Sequence, residues 1–206
     1  MKQSTIVVLK VFTWLACLAP LGWLVWGAIT NNLGPDATAA LAFATGLATL
    51  RLLVLSLAIT PLRRLSPRLS WLIKFRRLLG LFAFFYGTLH MLTYVALYSG
   101  FNVADMVADV TKRRFITAGA VAWLLLVPLA ATSTNWAIRK MGGKNWNRLH
   151  TLVYAAAVCG IVHYWWQVKT GVITPLGITL ILALLFIARP VLAWNQRRRQ
   201  RAAVAA

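Results

Sequence analysis

The side chains of this 206-residue chain best suited to chemistry are three histidines, two of them deep in apolar sequence. His90 stands in RRLLGLFAFFYGTLHMLTYV and His163 in NRLHTLVYAAAVCGIVHYWW. His90 follows Arg77 by 13 residues, and His163 follows Arg148 by 15. At 1.5 Å per residue along a helix, the two imidazoles lie about 20 and 22 Å past those arginines, at nearly one level. Neutral imidazole is a good iron ligand, and two facing imidazoles would hold a b-type haem between their helices. No CxxCH occurs, so covalent c-type attachment is excluded. Hydrogen bonding to a neighbouring helix is the competing role for a single intramembrane histidine, at a gain of about 0.6–2 kcal/mol. Matched depth on two helices shifts the balance to haem. The aromatic residues nearby, among them Phe84, Tyr86, Tyr94, Tyr164 and Trp165, suit a cofactor pocket and a membrane border equally.

His150 lies about 20 Å along the helix from His163, a separation suited to a second haem. On one continuous ideal helix the two side chains would point about 140° apart, so a shared inward stripe needs a distortion, for which Gly160 is the candidate. At the matching depth the other helix offers Arg76 and Arg77, and arginine stays protonated and does not ligate iron. His150 is therefore open to three roles: a haem with a labile or different second ligand, a quinone or flavin site, or a plain helix-start cap. Arg51 divides an apolar run near its middle, where a charge costs at least about 2.5–3.5 kcal/mol. It should face the bundle and find an anion such as a haem propionate. Arg76 and Arg77 could bind a phosphate or propionate, or serve only as topology anchors.

The elements that carry these residues are membrane helices. Hydrophobic residues make up 60% of the chain and charged residues 12%, against roughly 25% charged in soluble domains. No charge occurs between Lys10 and Asp36, Phe115 and Ile138, Leu149 and Val168, or Thr170 and Ala188. About 20 apolar residues cross a bilayer core, and the pattern predicts an all-α bundle of six spans near 9–29, 40–60, 78–98, 115–134, 149–167 and 172–190. The first run is too long for a cleaved signal peptide, and five similar runs follow it. The connections read as short loops, the end from Gln196 as a disordered basic tail, and no internal repeat is evident. Lys2, Lys10, the Arg63–Arg77 cluster, the Arg139–Arg148 cluster, Arg189 and the tail arginines all fall on one side. The other side has Lys112, Arg113, Arg114 and Lys169 and all three acids, Asp36, Asp105 and Asp109. The positive-inside rule then places both termini in the cytoplasm. It also assigns the net charge of +19 to lipid headgroups and topology, which argues against nucleic acid. Cys17 and Cys159, isolated in apolar runs, read as packing residues.

No glutamate occurs and every aspartate falls in a loop, so carboxylate acid–base chemistry has no intramembrane candidates. GxGxxG, P-loop, HExxH and GxSxG motifs are absent. A small transporter or a scaffold without a redox centre is the alternative class; it would need a polar path or broken helices, and only Pro128 and Arg51 hint at one.

The two histidine segments, with the chain length and the six-span plan, resemble the ferric reductase-like transmembrane family and, within it, the MsrQ (YedZ) family. The resemblance implies a haem-binding subunit of the bacterial inner membrane with His90 and His163 as haem ligands and His150 as a third family histidine. It further implies electrons from the quinone pool or a flavin reductase, a role for FMN, and a periplasmic molybdopterin methionine sulfoxide reductase as partner. The wider family holds two haems with two histidines on each of two helices. Here an arginine stands where the fourth histidine would be, so the resemblance implies one haem and leaves the second open.

Overall fold

A lipid environment supplies no hydrogen-bond partners to the backbone, so the apolar runs satisfy their own N–H and C=O groups as helices. The computed structural model describes residues 2–168 and 173–205, and among these the order is helical from end to end. The elements are α1 (Gln3–Ile29), α2 (Ala37–Leu65), a 3-10 turn (Pro67–Leu72), α3 (Ile73–Thr93) and a π turn (Tyr94–Tyr98). They continue with α4 (Val103–Lys112), α5 (Arg114–Ala131), α6 (Asn135–Met141), α7 (Gly143–Leu149), α8 (Leu152–Gln167) and α9 (Ile173–Ala205). Lys169 and the first residue of the sixth expected span, 172, lie outside the described residues.

Five of these segments are long and apolar enough to cross a membrane: Gln3–Ile29, Ala37–Leu65, Pro67–Tyr98, Arg114–Ala131 and Ile173–Arg198. The expected fifth span differs. It divides at His150 and Thr151, and α8 keeps 16 residues, about 24 Å of helix against a hydrocarbon core of about 30 Å. The expected tail also differs, because α9 continues as a helix through the arginine-rich end to Ala205. The loop after the third span contains α4, started by Asn102, whose side chain accepts from the N–H groups of Ala104 and Asp105.

Two antiparallel hairpins organise the bundle. α2 packs along α3, α5 packs along α8, and α9 lies against α2. Leu53, Leu57, Phe82, Ala83, Tyr86, Ala156, Ala157 and Ile161 form the buried centre. Gly160 lets α8 approach α2 closely; a Cβ there would stand 3.1 Å from Leu50 Cδ2. Trp14, Trp23, Trp26, Phe43 and Leu184 remain exposed on the outside of the bundle, as lipid-facing residues should. The helix ends segregate charge. Arg63 and Arg64 close α2 and Arg76 and Arg77 open α3, while Asp36 caps the opposite end of α2 through Ala39 N–H at 2.8 Å.

α1 is held to α3 by the Trp14–Phe82 edge contact, with centroids 4.9 Å apart, and by the buried Tyr86 side chain. Pro20 lies within α1, and nearby the Tyr86 hydroxyl donates to the Cys17 carbonyl at 2.7 Å and accepts from Leu21 N–H at 3.1 Å. Cys17 is thus a packing residue beneath this contact, and both cysteines are free.

Candidate functional site

The helical hairpins bring His90 and His163 next to each other. Their ring centroids are 5.8 Å apart and their planes cross at 80°. His90 projects from the last turn of α3, where Nδ1 meets the Ala42 carbonyl of α2 at 2.8 Å. His163 projects from α8, where Nδ1 meets the Phe115 carbonyl of α5 at 2.7 Å. A carbonyl oxygen can only accept, so both rings carry their proton on Nδ1 and keep the Nε2 lone pair free. That is the arrangement of a metal-ligating histidine, whose second nitrogen donates to a fixed acceptor that sets tautomer and direction.

Glycines make this approach available. A Cβ on Gly46 would stand 3.1 Å from His90 Nδ1, and one on Gly119 would stand 2.8 Å from His163 Nδ1. Each glycine lies one turn past the carbonyl that its histidine contacts. Each carbonyl is also 48 residues before that histidine. The two half-sites are therefore one unit used twice. Once aligned on the histidines, the repeat is visible in the chain: Gly87 and Gly160 precede the histidines by three, Ala83 matches Ala156, and Leu52-Leu53-Val54 matches Leu125-Leu126-Val127. Read without that alignment, the chain shows no evident repeat. The matching positions are few and spread over two helices, so no contiguous similarity reveals them.

Among the described residues, no three His, Cys, Asp or Glu side chains come together. Two imidazoles would be the whole protein contribution to a metal here, a donor set that suits a macrocycle supplying its own equatorial nitrogens. Metal–imidazole bonds of about 2 Å would separate two facing ring centroids by roughly 6 Å. The observed separation fits. Thr88 and the stacked pair Phe84 and Trp123, with centroids 6.3 Å apart, lie next to the site on α3 and α5, and Trp123 Nε1 donates to Thr88 Oγ1 at 3.1 Å.

His150 is built differently. It ends α7, stacks on Trp146 with centroids 3.8 Å apart, and places Nε2 3.2 Å from Thr132 Oγ1. The Thr132 hydroxyl donates to the Pro128 carbonyl at 2.6 Å, so it accepts from His150 and Nε2 carries the proton. The helix break at His150 and Thr151, not Gly160, is the distortion that sets its direction. Arg76 lies near enough for its charge to act on the His150 ring, and Arg77 Nη1 donates to Asn135 Oδ1 at 2.8 Å, tying α3 to α6. Arg51 is exposed on α2, and its charge reaches Tyr164.

Residues 41–161 match the family described as the ferric reductase like transmembrane component, a stretch that includes His90, the accepting carbonyls of Ala42 and Phe115 and both glycines. The chain is 44% identical over 196 residues to the protein-methionine-sulfoxide reductase heme-binding subunit MsrQ of Herminiimonas arsenicoxydans, covering 94% of this chain and 89% of the relative. Its identity to the MsrQ of Ralstonia nicotianae is 48% over 162 residues, 79% and 74% of the two chains. With the MsrQ of Xanthomonas oryzae pv. oryzae it shares 40% over 207 residues, 97% and 93%. Helical hairpins, paired histidines and relatives along nearly the whole length agree: the chain belongs to the ferric reductase-like transmembrane family and, within it, to the MsrQ family.

Proposed function

We propose that the chain is the haem-binding electron-transfer subunit of a methionine sulfoxide reductase system, with one b-type haem held by His90 and His163. The observation that carries this is the pair of imidazoles with both Nδ1 atoms tied to backbone carbonyls and both Nε2 atoms free to face one group between them. Haem supplies a reversible one-electron carrier. The chain's residues do the rest. The Ala42 and Phe115 carbonyls fix each ring and raise its basicity as a ligand, the apolar bundle excludes water, and Gly46 and Gly119 let both rings reach their carbonyls.

The six-span topology with cytoplasmic termini in a bacterial inner membrane is supported by the charge segregation along α2 and α3 and by the arginine-rich end of α9. This orientation puts the histidine pair in the periplasmic half. Electrons would come from the quinone pool or a flavin reductase, with FMN as a further cofactor, and leave to a periplasmic molybdopterin methionine sulfoxide reductase. The names of the relatives support the reductase partnership. Absorption spectroscopy tests the reading: protein purified with adequate haem supply should show a low-spin Soret band with close to one haem per chain. A preparation without that band would sink it.

A further inference from the structure

Arg189 of α9 performs a structural task that leaves its charge unmatched. Pro61 lacks an N–H, which frees the Leu57 carbonyl one turn earlier in α2. Arg189 Nη2 donates to that carbonyl and Nη1 to the Tyr154 hydroxyl, with Cζ 4.9 Å from the centre of the Tyr154 ring. Its Nε is buried and has no acceptor among the described residues. Arg64 Nη1 donates to the Arg189 carbonyl at 2.9 Å. Arg76 is also close enough for its charge to act on Arg189, and its carbonyl accepts from Ser56 Oγ at 3.1 Å.

Arg64 and Arg189 thus meet where α2 ends and α9 crosses it, with the Arg76 charge of α3 nearby. None of the three aspartates can reach them. Asp36 caps the far end of α2, Asp105 and Asp109 sit in α4 beyond the far end of α3, and no other acid exists. A neutral side chain could serve the Leu57 carbonyl. A half-buried third positive charge is costly unless an anion shares it. Guanidinium forks match phosphate oxygens bidentately.

We infer that Arg64, Arg76 and Arg189 form a phosphate-binding site at this end of the bundle, separate from the histidine pair. Its ligand is the phosphate of an anionic lipid headgroup or a free phosphate in solution. The test uses the haem-loaded protein in neutral detergent, titrated in parallel with phosphatidylglycerol, phosphatidylcholine and inorganic phosphate while the thermal unfolding midpoint is followed. Phosphatidylglycerol should raise the midpoint saturably, and Arg64→Gln and Arg189→Gln should each raise its half-saturating concentration about tenfold or more. Saturation by inorganic phosphate, lost in the same variants, assigns the site to a free phosphate; its absence assigns the site to lipid. Arg189→Gln also disturbs the Leu57 contact, so if it fails to fold, Arg64→Gln decides alone. A response identical in wild type and Arg64→Gln, or no saturable response to any of the three, overturns the inference. The Soret band of the same samples reports the haem reading independently.

Discussion

The two histidine levels of this bundle use the same residue for opposite ends. At one level His90 and His163 give their Nδ1 protons to carbonyls and keep Nε2 free, with ring centroids 5.8 Å apart. At the other level His150 gives its Nε2 proton to Thr132 and rests on Trp146, with the Arg76 charge nearby. What separates the two levels is less depth or residue type than which imidazole nitrogen the protein occupies.

The sharpest way to break this comparison is to remove a ligand. His90→Ala and His163→Ala should each abolish most bound haem, measured as the Soret absorbance per chain; full low-spin haem in either variant would refute the pairing. Next in size is the glycine beneath each ring. Gly119→Ala forces a Cβ to 2.8 Å from Nδ1 and should displace His163 from the Phe115 carbonyl, lowering haem affinity by about 10–100-fold, the usual loss when a ligand's supporting contact goes. Gly46→Ala, at 3.1 Å, should show the same defect more weakly in haem-transfer assays. His150→Ala should leave haem content within about twofold of wild type. The smallest effect belongs to Thr132→Val, which removes the His150 acceptor and should cost about 1 kcal/mol of thermal stability with an unchanged Soret band. Haem loss in Thr132→Val comparable to that in Gly119→Ala would erase the distinction between the two levels.

Much of this was legible in the chain. Apolar runs disclose the helices because a bilayer admits few alternatives, and similar counts, 13 residues from Arg77 and 15 from Arg148, bring two histidines to nearly one level. The supporting carbonyls were not legible. Ala42 and Phe115 act through their backbones, which carry no residue signature, and each pairing spans 48 residues. Gly46 and Gly119 could have been found by superposing the chain on itself with the histidines aligned. The break at His150 was hidden because both His150 and Thr151 keep right-handed helical backbone angles. α4 was missed because its cap, Asn102, sits in a stretch that reads simply as polar.

The Tyr86 hydroxyl stands inside a helical hydrogen bond of α1, because Cys17 and Leu21 are the i and i+4 partners that otherwise bond directly. Withdrawing it strands neither backbone group, since the two can close on each other. The group left without partners is the phenol hydroxyl itself, fully buried on α3. The contact is therefore a demand of α3 that α1 meets, and α3 loses more than α1 when the two separate.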